Sequence, residues 1–311
     1  MKHTKIIALL LCIVMAAATL LGCTGGTDTP VTTPDAGQQG STQTNAPDGG
    51  STEQPSTGDV KYKEEIVIAM ADEFTTIDPM ETTAETNQIV QDCTHDLLTD
   101  TNLTTMQNEG ELVDHWEMLA PDHWRFVLKD NVTFHDGEPF TAEDVKFTIE
   151  TIMDPANESE IASNYEDVAE IQVIDDHTVA FTLTGDNAAF LEYMTIGILP
   201  EHLLQGEDMQ TSDFFRFPIG TGPYKMASWD AGQAITLVKN EDYFKGAPNI
   251  DTIVFKIVTD DNAKALQLMS GELNMAHVTP KDAELFAKDD RYVCLQMKTS
   301  DYRGILYNFW N

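Results

Sequence analysis

Two short segments bring together residue types that bind metals in proteins. His135, Asp136 and Glu138 lie close together in one stretch, and Cys93 is separated from His95 by a single residue. Neighbouring residues of a strand or turn point in different directions, and residues two apart on a helix face about 200° apart. Neither group therefore converges on one ion. We expect structural hydrogen bonding at His135 and no metal site at either segment.

The sequence carries none of the common catalytic or nucleotide-binding signatures. Gly-x-Ser-x-Gly, Ser-x-x-Lys, His-Glu-x-x-His and the Walker loop are all absent. The pair Gly220-x-Gly222 is followed by Pro-Tyr-Lys, and lacks both the third glycine and the helix start of a dinucleotide site. These absences indicate a protein that is not an enzyme and holds no cofactor.

Cys23 is the residue with the clearest chemistry, because it follows Leu20–Gly22 in a string that resembles the lipobox of bacterial lipoproteins. Lys2 and Lys5 precede an apolar run, Ile6–Leu11, that is too short for a membrane-spanning helix. We predict cleavage before Cys23 and lipid on its sulfur and amine. An ordinary signal peptide and an uncleaved anchor are the alternatives. Each places the folded part outside the cytoplasm, away from cytosolic ATP and NAD.

Residues 24–59 are mainly Thr, Gly, Pro, Ser, Gln, Asn and Asp, with no aromatic residue. Such a segment buries too little apolar surface to offset the entropy lost on ordering, so a disordered tether is predicted. A flexible chain of this length spans about 30 Å. The tether would hold a folded body, residues 60–311, away from the membrane that the lipid enters.

The charge balance limits the partners of this body. The chain has 52 acidic and 18 basic residues and a formal net charge of −34. A surface this acidic repels phosphate backbones and anionic head groups, which excludes nucleic acid as a partner and disfavours a body lying on the membrane. Cys93 and Cys294 remain after processing, and the sequence leaves their pairing open.

The pattern of the body predicts a mixed α/β fold. The apolar run Ile66–Met70 indicates a buried strand, followed by a polar loop over 72–79 and a helix from about Glu81 to Leu97. Alternation over Trp124–Leu128 indicates a strand with one buried face. Thr141, with Asp144 three residues later, predicts a helix N-cap.

Further along the chain the pattern predicts a hairpin, two strands and a helix. Two runs, 171–174 and 179–183, flank an acidic turn at Asp175 and Asp176. Alternating apolar residues indicate strands around 235–237 and 253–257. Asn262 is predicted to cap a helix that closes on Gly271.

Four blocks of sequence resemble the family 5 extracellular solute-binding proteins of ABC importers, the peptide/nickel-type family of oligopeptide- and dipeptide-binding proteins. They are Trp124–Phe147, which contains Phe-His-Asp-Gly-Glu-Pro-Phe; Gly110–Trp116; Gly220–Lys225 with Val238–Phe244; and Asp261–Asn274, which ends in Ser-Gly-Glu-Leu-Asn. The blocks follow the family's order over nearly all of residues 60–308.

The resemblance implies the type II periplasmic-binding-protein clamshell, in which two lobes close over a ligand. By the family's pattern, residues 60–95 and 216–311 form the ligand-proximal subdomain of the first lobe, and 96–215 form an extra subdomain. Family members continue well beyond the position of Asn308, whereas this chain stops within an apolar β-like run at Asn311. We therefore expect a fragment without its second lobe, which by itself binds ligand weakly or not at all.

The resemblance also implies where a ligand binds. In the family, the loop after the first strand lies against the ligand, and an extended peptide pairs its main chain with the lobes. The candidate ligand-binding residues are Glu73, Phe74, Thr75 and Thr76 in that loop; Gly220, Thr221 and Gly222 at the return from the extra subdomain; and Tyr307, Asn308 and Trp310 at the crossing into the second lobe. For each of them a purely structural role is the alternative.

The function implied is a lipid-anchored, monomeric receptor that captures a small solute, first of all a di- or oligopeptide, and delivers it to an ABC permease. Nickel, haem or sugar are alternative solutes within transport. A surface sensor or adhesion lipoprotein with the same fold is the alternative outside transport, and an exported hydrolase is a weaker one. A permease gene beside this gene would favour transport, and an adjacent receptor kinase gene would favour a sensor.

Overall fold

The computed structural model describes residues 63–80, 85–102 and 104–296. The signal, Cys23 and the tether lie outside the described residues, as do Tyr307, Asn308 and Trp310. In chain order the strands and helices are β1 (Glu65–Met70), α1 (Glu85–Thr94), β2 (Thr99–Asn102), β3 (Gln107–Gly110), β4 (Val113–Ala120), β5 (His123–Leu128), α2 (Ala142–Met153), β6 (Val168–Asp175), β7 (Thr178–Leu183), α3 (Glu201–Leu204), β8 (Tyr224–Asp230), β9 (Ala234–Lys239), β10 (Thr252–Ile257), α4 (Asp261–Ser270) and α5 (Pro280–Phe286).

The first sheet joins β1 to strands from much later in the chain. Its order is β1-β10-β9-β8, and only β1 and β10 run parallel. The outer edge of β1 is covered, since Ala69 N–H donates to Met275 O at 2.9 Å and Val67 N–H donates to the Asn274 side chain at 2.8 Å. The apolar run expected from the sequence is therefore a strand paired on both sides.

The second sheet is an antiparallel unit built from one continuous stretch of chain. Its order is β4-β5-β7-β6, and the predicted hairpin of β6 and β7 is confirmed. Strand β5 buries Trp124, Phe126 and Leu128 on one face, as its alternation predicts. A small separate hairpin pairs β2 with β3.

Each of the two four-stranded sheets has its own apolar core. The larger core combines β5 and β7 with one face of α2, where Val145, Ile149 and Ile152 are fully buried at helical spacing. The smaller core lies between the first sheet and α1, and includes Val90, Ile235 and Phe255. The division into subdomains at residues 95 and 215 remains a prediction.

The helix termini partly follow the sequence prediction. Thr141 is the N-cap of α2, and its backbone N–H donates to the Asp144 carboxylate at 2.9 Å. For α4 the predicted cap was wrong: Asp260, not Asn262, is the N-cap and accepts from Ala263 N–H at 2.8 Å. Gly271 does close that helix, in the left-handed conformation.

Helix α1 is shorter than the predicted helix at its C-terminal end. It ends at Thr94 rather than near Leu97, because the chain turns at His95 into the extended segment before β2, where Leu98 N–H donates to Ile196 O at 3.2 Å. Cys93 and Cys294 are both free thiols. None of the helices in the described part of the chain is long and apolar enough to cross a membrane.

Candidate functional site

Three connecting segments meet at one end of the first sheet. Strands β1 and β10 both end there, and the register pairs Met70 with Ile257. Val258 N–H then donates to Met70 O at 2.9 Å, and Ile257 N–H donates to Gln233 O in the β8–β9 turn at 2.8 Å. Ligands of open α/β sheets bind at such carboxyl ends of strands. We name the loop 71–80 and the turn 231–233 the ligand edge.

The loop 71–80 is tied to this edge by a few polar contacts. The Glu73 carboxylate accepts from Gly232 N–H at 2.9 Å. Asn87 on α1 accepts from Thr75 N–H at 3.2 Å and donates to the Thr75 hydroxyl at 2.7 Å. Glu73 and Thr75 are exposed and Thr76 is half-buried, so these three residues are accessible to a ligand.

Phe74 takes a different place from its neighbours. Its side chain is 3% exposed and belongs to the smaller core, where it meets the Trp229 ring edge to face at 6.3 Å between centroids. The Arg216 guanidinium lies over the same Trp229 ring, with its carbon Cζ 5.2 Å from the ring centre. Ile77 N–H donates to Phe215 O at 2.9 Å, which places Arg216 beside the loop. Phe74 thus holds the loop by packing.

The segment Gly220–Gly222 lies at the opposite end of the sheet, just before the start of β8, and packs against the C-terminus of α1. Gly222 N–H donates to Thr94 O at 3.0 Å, and Thr221, 2% exposed, accepts from Asp96 N–H at 3.1 Å. A Cβ atom on Gly220 would lie 2.1 Å from Thr94 O, and one on Gly222 would lie 2.5 Å from Thr94 C. Glycine is required here because two backbones touch.

His135 holds the same segment from the second sheet's side. Its Nδ1 accepts from Gly220 N–H at 3.2 Å, and its Nε2 is 3.0 Å from Gly222 O, so the ring carries its proton on Nε2. Burial, with a smaller contribution from the nearby Lys225, lowers the pKa of His135 to about 4, so the ring is neutral near pH 7. The structural hydrogen bonding expected at His135 is present.

A buried carboxylate adds a second link between the two sheets. The Asp96 carboxylate accepts from Tyr243 Oη at 2.6 Å and from Lys245 Nζ at 3.1 Å. Lys245 also pairs with Glu111, whose other oxygen accepts from Leu97 N–H at 2.9 Å. We name the contacts made by Gly220–Gly222, His135 and Asp96 the junction.

A cavity opens beside the junction, and one part of it is also lined by Pro79 at the far end of the loop 71–80. It consists of two adjoining parts of about 240 and 400 Å³, and both are lined by Gln88, Asp92, His95, Leu97 and Asp100. Burial, and then Asp92, raises the pKa of the neighbouring Cys93 thiol to about 12, and burial lowers that of His95 to about 3. Neither group ionises near pH 7, so this cavity offers no thiolate nucleophile or imidazolium.

The family assignment rests on a match over most of the chain. The sequence profile of the Bacterial extracellular solute-binding proteins, family 5 Middle, matches residues 108–311. The chain belongs to this family. Its members are solute-binding proteins rather than enzymes.

Individual relatives agree with this assignment over part of their length. The solute-binding protein is 33% identical over 190 residues to the oligopeptide-binding protein AppA of Bacillus subtilis, covering 59% of this chain and 34% of AppA. It is 30% identical over 233 residues to the probable D,D-dipeptide-binding periplasmic protein DdpA of Escherichia coli, covering 71% of this chain and 44% of DdpA. The chain therefore spans less than half the length of these relatives.

Solved structures show the same fold, a mixed α/β fold that matches periplasmic binding proteins over part of their length. AppA from B. subtilis, in complex with a nonapeptide, superposes with a TM-score of 0.69 at 29% identity, covering 72% of this chain and 46% of AppA. NikZ from Campylobacter jejuni, in complex with Ni(L-His), gives 0.68 at 31% identity, covering 74% of this chain and 46% of NikZ.

The structure separates the predicted site residues of this solute-binding protein into two groups. Glu73, Thr75 and Thr76 lie together at the ligand edge, with the backbone of Phe74. Gly220, Thr221 and Gly222 lie at the junction, packed against α1, and are not brought together with the loop. Among the described residues, no three His, Cys, Asp or Glu side chains are grouped to hold a metal ion.

Sequence reasoning did not single out Arg216 or Trp229, which lie beside the loop. The available signal was the rarity of arginine, since the chain has only 18 basic residues against 52 acidic ones. The junction cavity was also missed, because its lining comes from α1 and from loops far apart in sequence.

Proposed function

We propose that this protein is the lipid-anchored solute receptor of an ABC importer, which captures a di- or oligopeptide and delivers it to the permease. The observation that carries the proposal is the agreement in sequence and fold with AppA, the structure of which contains a nonapeptide. The exposed Glu73 and Thr75 and the backbone at the ligand edge would contact the peptide. A second lobe closing over this edge would complete the site.

Capture requires that the peptide bind the closed state better than the open one, because only a difference in affinity shifts that equilibrium. An extended peptide can pair its main chain with exposed backbone, so affinity tolerates different side chains. The strongly negative surface places no constraint on neutral peptides, and it favours a receptor body held off the anionic membrane on its tether.

Calorimetric titration of the protein, as its gene encodes it, tests peptide capture. A set of tetrapeptides and the Ni(L-His) complex are titrated separately; the second probe is included because NikZ is a close structural neighbour. Saturable binding of peptides supports the proposal. Binding of the nickel complex alone would make the protein a metal-chelate receptor, and binding of neither would overturn the proposal.

Metabolic labelling tests the lipid anchor. Wild-type protein should incorporate labelled palmitate, and Cys23→Ser should abolish the label and release the protein from the membrane fraction. Cys12→Ser, a change inside the predicted signal, is the matched control and should still be labelled. Label retained in Cys23→Ser would contradict the anchor.

A further inference from the structure

Arg216 differs from the other arginines that the structure describes, because no described side chain neutralises its charge. The structure describes three arginines. Arg125 pairs with Glu117 at 3.3 Å and Arg291 pairs with Asp289 at 2.6 Å. No carboxylate in the described part of the chain pairs with Arg216, although acidic residues greatly outnumber basic ones.

The carboxylates next to Arg216 along the chain and in space are directed elsewhere. Asp213 lies in the same short 3₁₀ turn and Asp230 follows Trp229, yet neither forms an ion pair with Arg216 among the described residues. Glu73, on the neighbouring loop, accepts from Gly232 N–H instead. None of the carboxylates that the structure describes therefore accepts from the five N–H donors of Arg216.

The aromatic ring below Arg216 holds the guanidinium in place. The centre of the Trp229 ring lies 5.2 Å from the guanidinium carbon of Arg216, and Phe74 packs edge to face on the same ring. The indole N–H of Trp229 is buried and has no acceptor among the described residues. Stacking of this kind limits the rotamers of the arginine, so less entropy is lost when its planar fork binds a carboxylate.

The position of this pair connects it to the ligand edge. Phe215 O accepts from Ile77 N–H in the loop, and Arg216 is the next residue. The exposed Thr75 and Thr76 belong to the same loop. A surplus of hydrogen-bond donors with a fixed positive charge thus lies beside the segment where a peptide would pair its main chain.

We infer that Arg216, stacked on Trp229, binds a carboxylate of the solute, and that this residue makes the receptor prefer peptides with a free C-terminal carboxylate. The inference rests on the proposed function. Bidentate pairing of a guanidinium with a carboxylate supplies two charge-assisted hydrogen bonds. The surrounding negative charge repels an anionic solute elsewhere on this surface, so Arg216, which no described carboxylate neutralises, determines where beside the ligand edge the anion is accepted.

The test compares each peptide with its C-terminal amide on the protein as its gene encodes it. Wild-type protein should bind a free-acid tetrapeptide roughly tenfold or more tightly than the amide, the size expected when hydrogen bonds to a charged group are lost. Arg216→Gln should reduce this ratio of affinities to near one, by weakening the binding of the free-acid peptide alone. Arg216→Lys should give an intermediate ratio, because it keeps the charge and loses the fork.

Arg125→Gln is the matched control. Arg125 is a half-buried arginine on the second sheet, so its removal changes the net charge equally and should leave the acid-to-amide ratio unchanged. A wild-type ratio near one, or an unchanged ratio in Arg216→Gln, would overturn the inference while peptide capture stands. Absence of any peptide binding by wild-type protein would overturn the proposed function, and the inference with it.

Discussion

The two ends of the first sheet are built in opposite ways. At the ligand edge the loop 71–80 is held by a few polar contacts and presents Glu73 and Thr75 to solvent. At the junction, buried groups interlock so closely that Gly220 and Gly222 have no room for a methyl group. The contrast shows that residues predicted together as one binding site have separable roles. A loosely held edge can adapt to a solute, whereas a dense junction fixes the two sheets.

Substitution at the junction should have the largest effect on stability. In Gly222→Ala the new Cβ would lie 2.5 Å from Thr94 C and 2.7 Å from Cys93 O, so backbone must move. We expect a loss of about 3 kcal/mol in the free energy of unfolding, at the upper end for overpacking, measured by urea denaturation. Gly185→Ala, which meets no atom within 4 Å, is the control. Equal stability of the two variants would contradict the dense packing assigned to the junction.

The next largest effect is expected at His135. His135→Leu leaves Gly220 N–H without its acceptor, whereas Gly222 O keeps a bond from the Asn240 side chain at 3.3 Å. We expect a loss of about 2 kcal/mol by urea denaturation, the usual cost of one unsatisfied buried group. His115→Leu, at an exposed position of β4, is the control and should stay within about 0.5 kcal/mol.

His135 also predicts a pH dependence with a definite sign. Its folded-state pKa is lowered by burial to about 4 from an ordinary value of 6.5. As the pH falls from 6.5 towards 4, the unfolded chain gains a proton that the folded protein excludes. The free energy of unfolding should therefore fall, and the contribution of this histidine is about 1.4 kcal/mol per pH unit. Stability from this group is fully present above pH 6.5.

Denaturation at several pH values checks this sign. Between 6.5 and 4 the pH slope of stability should be shallower in His135→Leu than in wild type, because one titrating group is gone. His95, whose pKa is lowered to about 3 by burial, remains in both proteins, as do all carboxylates. His135 is one cause of the lowered pKa of His95, but a smaller one than burial, so the difference in slope reports mainly on His135 itself. Parallel slopes would show that His135 does not titrate in this range.

Removal of one hydroxyl from the junction should have a smaller effect. Tyr243→Phe deletes the 2.6 Å bond to Asp96 but leaves the bond from Lys245. We expect a loss of about 1 to 2 kcal/mol, since the acceptor is a buried carboxylate. Tyr292→Phe removes a 3.4 Å contact to Leu268 O and is the matched control, expected below about 0.5 kcal/mol. A larger loss at Tyr292 would contradict the importance given to the Asp96 link.

At the ligand edge we expect a substitution to weaken peptide binding more than it lowers stability, whereas at the junction the main effect is on stability. Glu73→Ala removes the exposed bond to Gly232 N–H, so we expect less than about 1 kcal/mol of stability to be lost. Peptide affinity, measured by calorimetry, should weaken more than stability, because the loop is no longer held to the turn. Glu117→Ala, at the exposed pair with Arg125, is the control for both measurements. Destabilisation as large as in Gly222→Ala would show that the loop is structural.

Local pattern predicted several elements correctly, because their residues act on their near neighbours. The alternation in β5, the hairpin of β6 and β7, and the N-cap of α2 at Thr141 all depend on contacts within a few residues. The α4 cap was placed at Asn262 although three consecutive residues, Asp260–Asn262, can all cap a helix. In the structure the Asp260 carboxylate accepts from Ala263 N–H, a choice among three capable residues that their types alone do not make.

The sequence by itself determined the mixed α/β fold and the family, because strand periodicity, caps and motif order are carried by the order of residues along the chain. Only the tertiary structure decided that Phe74 packs inward beside Trp229, that Gly220–Gly222 serve the junction, and that Arg216 lies beside the loop. Each of these depends on contacts between segments far apart in sequence. No local periodicity encodes such contacts, since they form only when the two sheets and α1 pack.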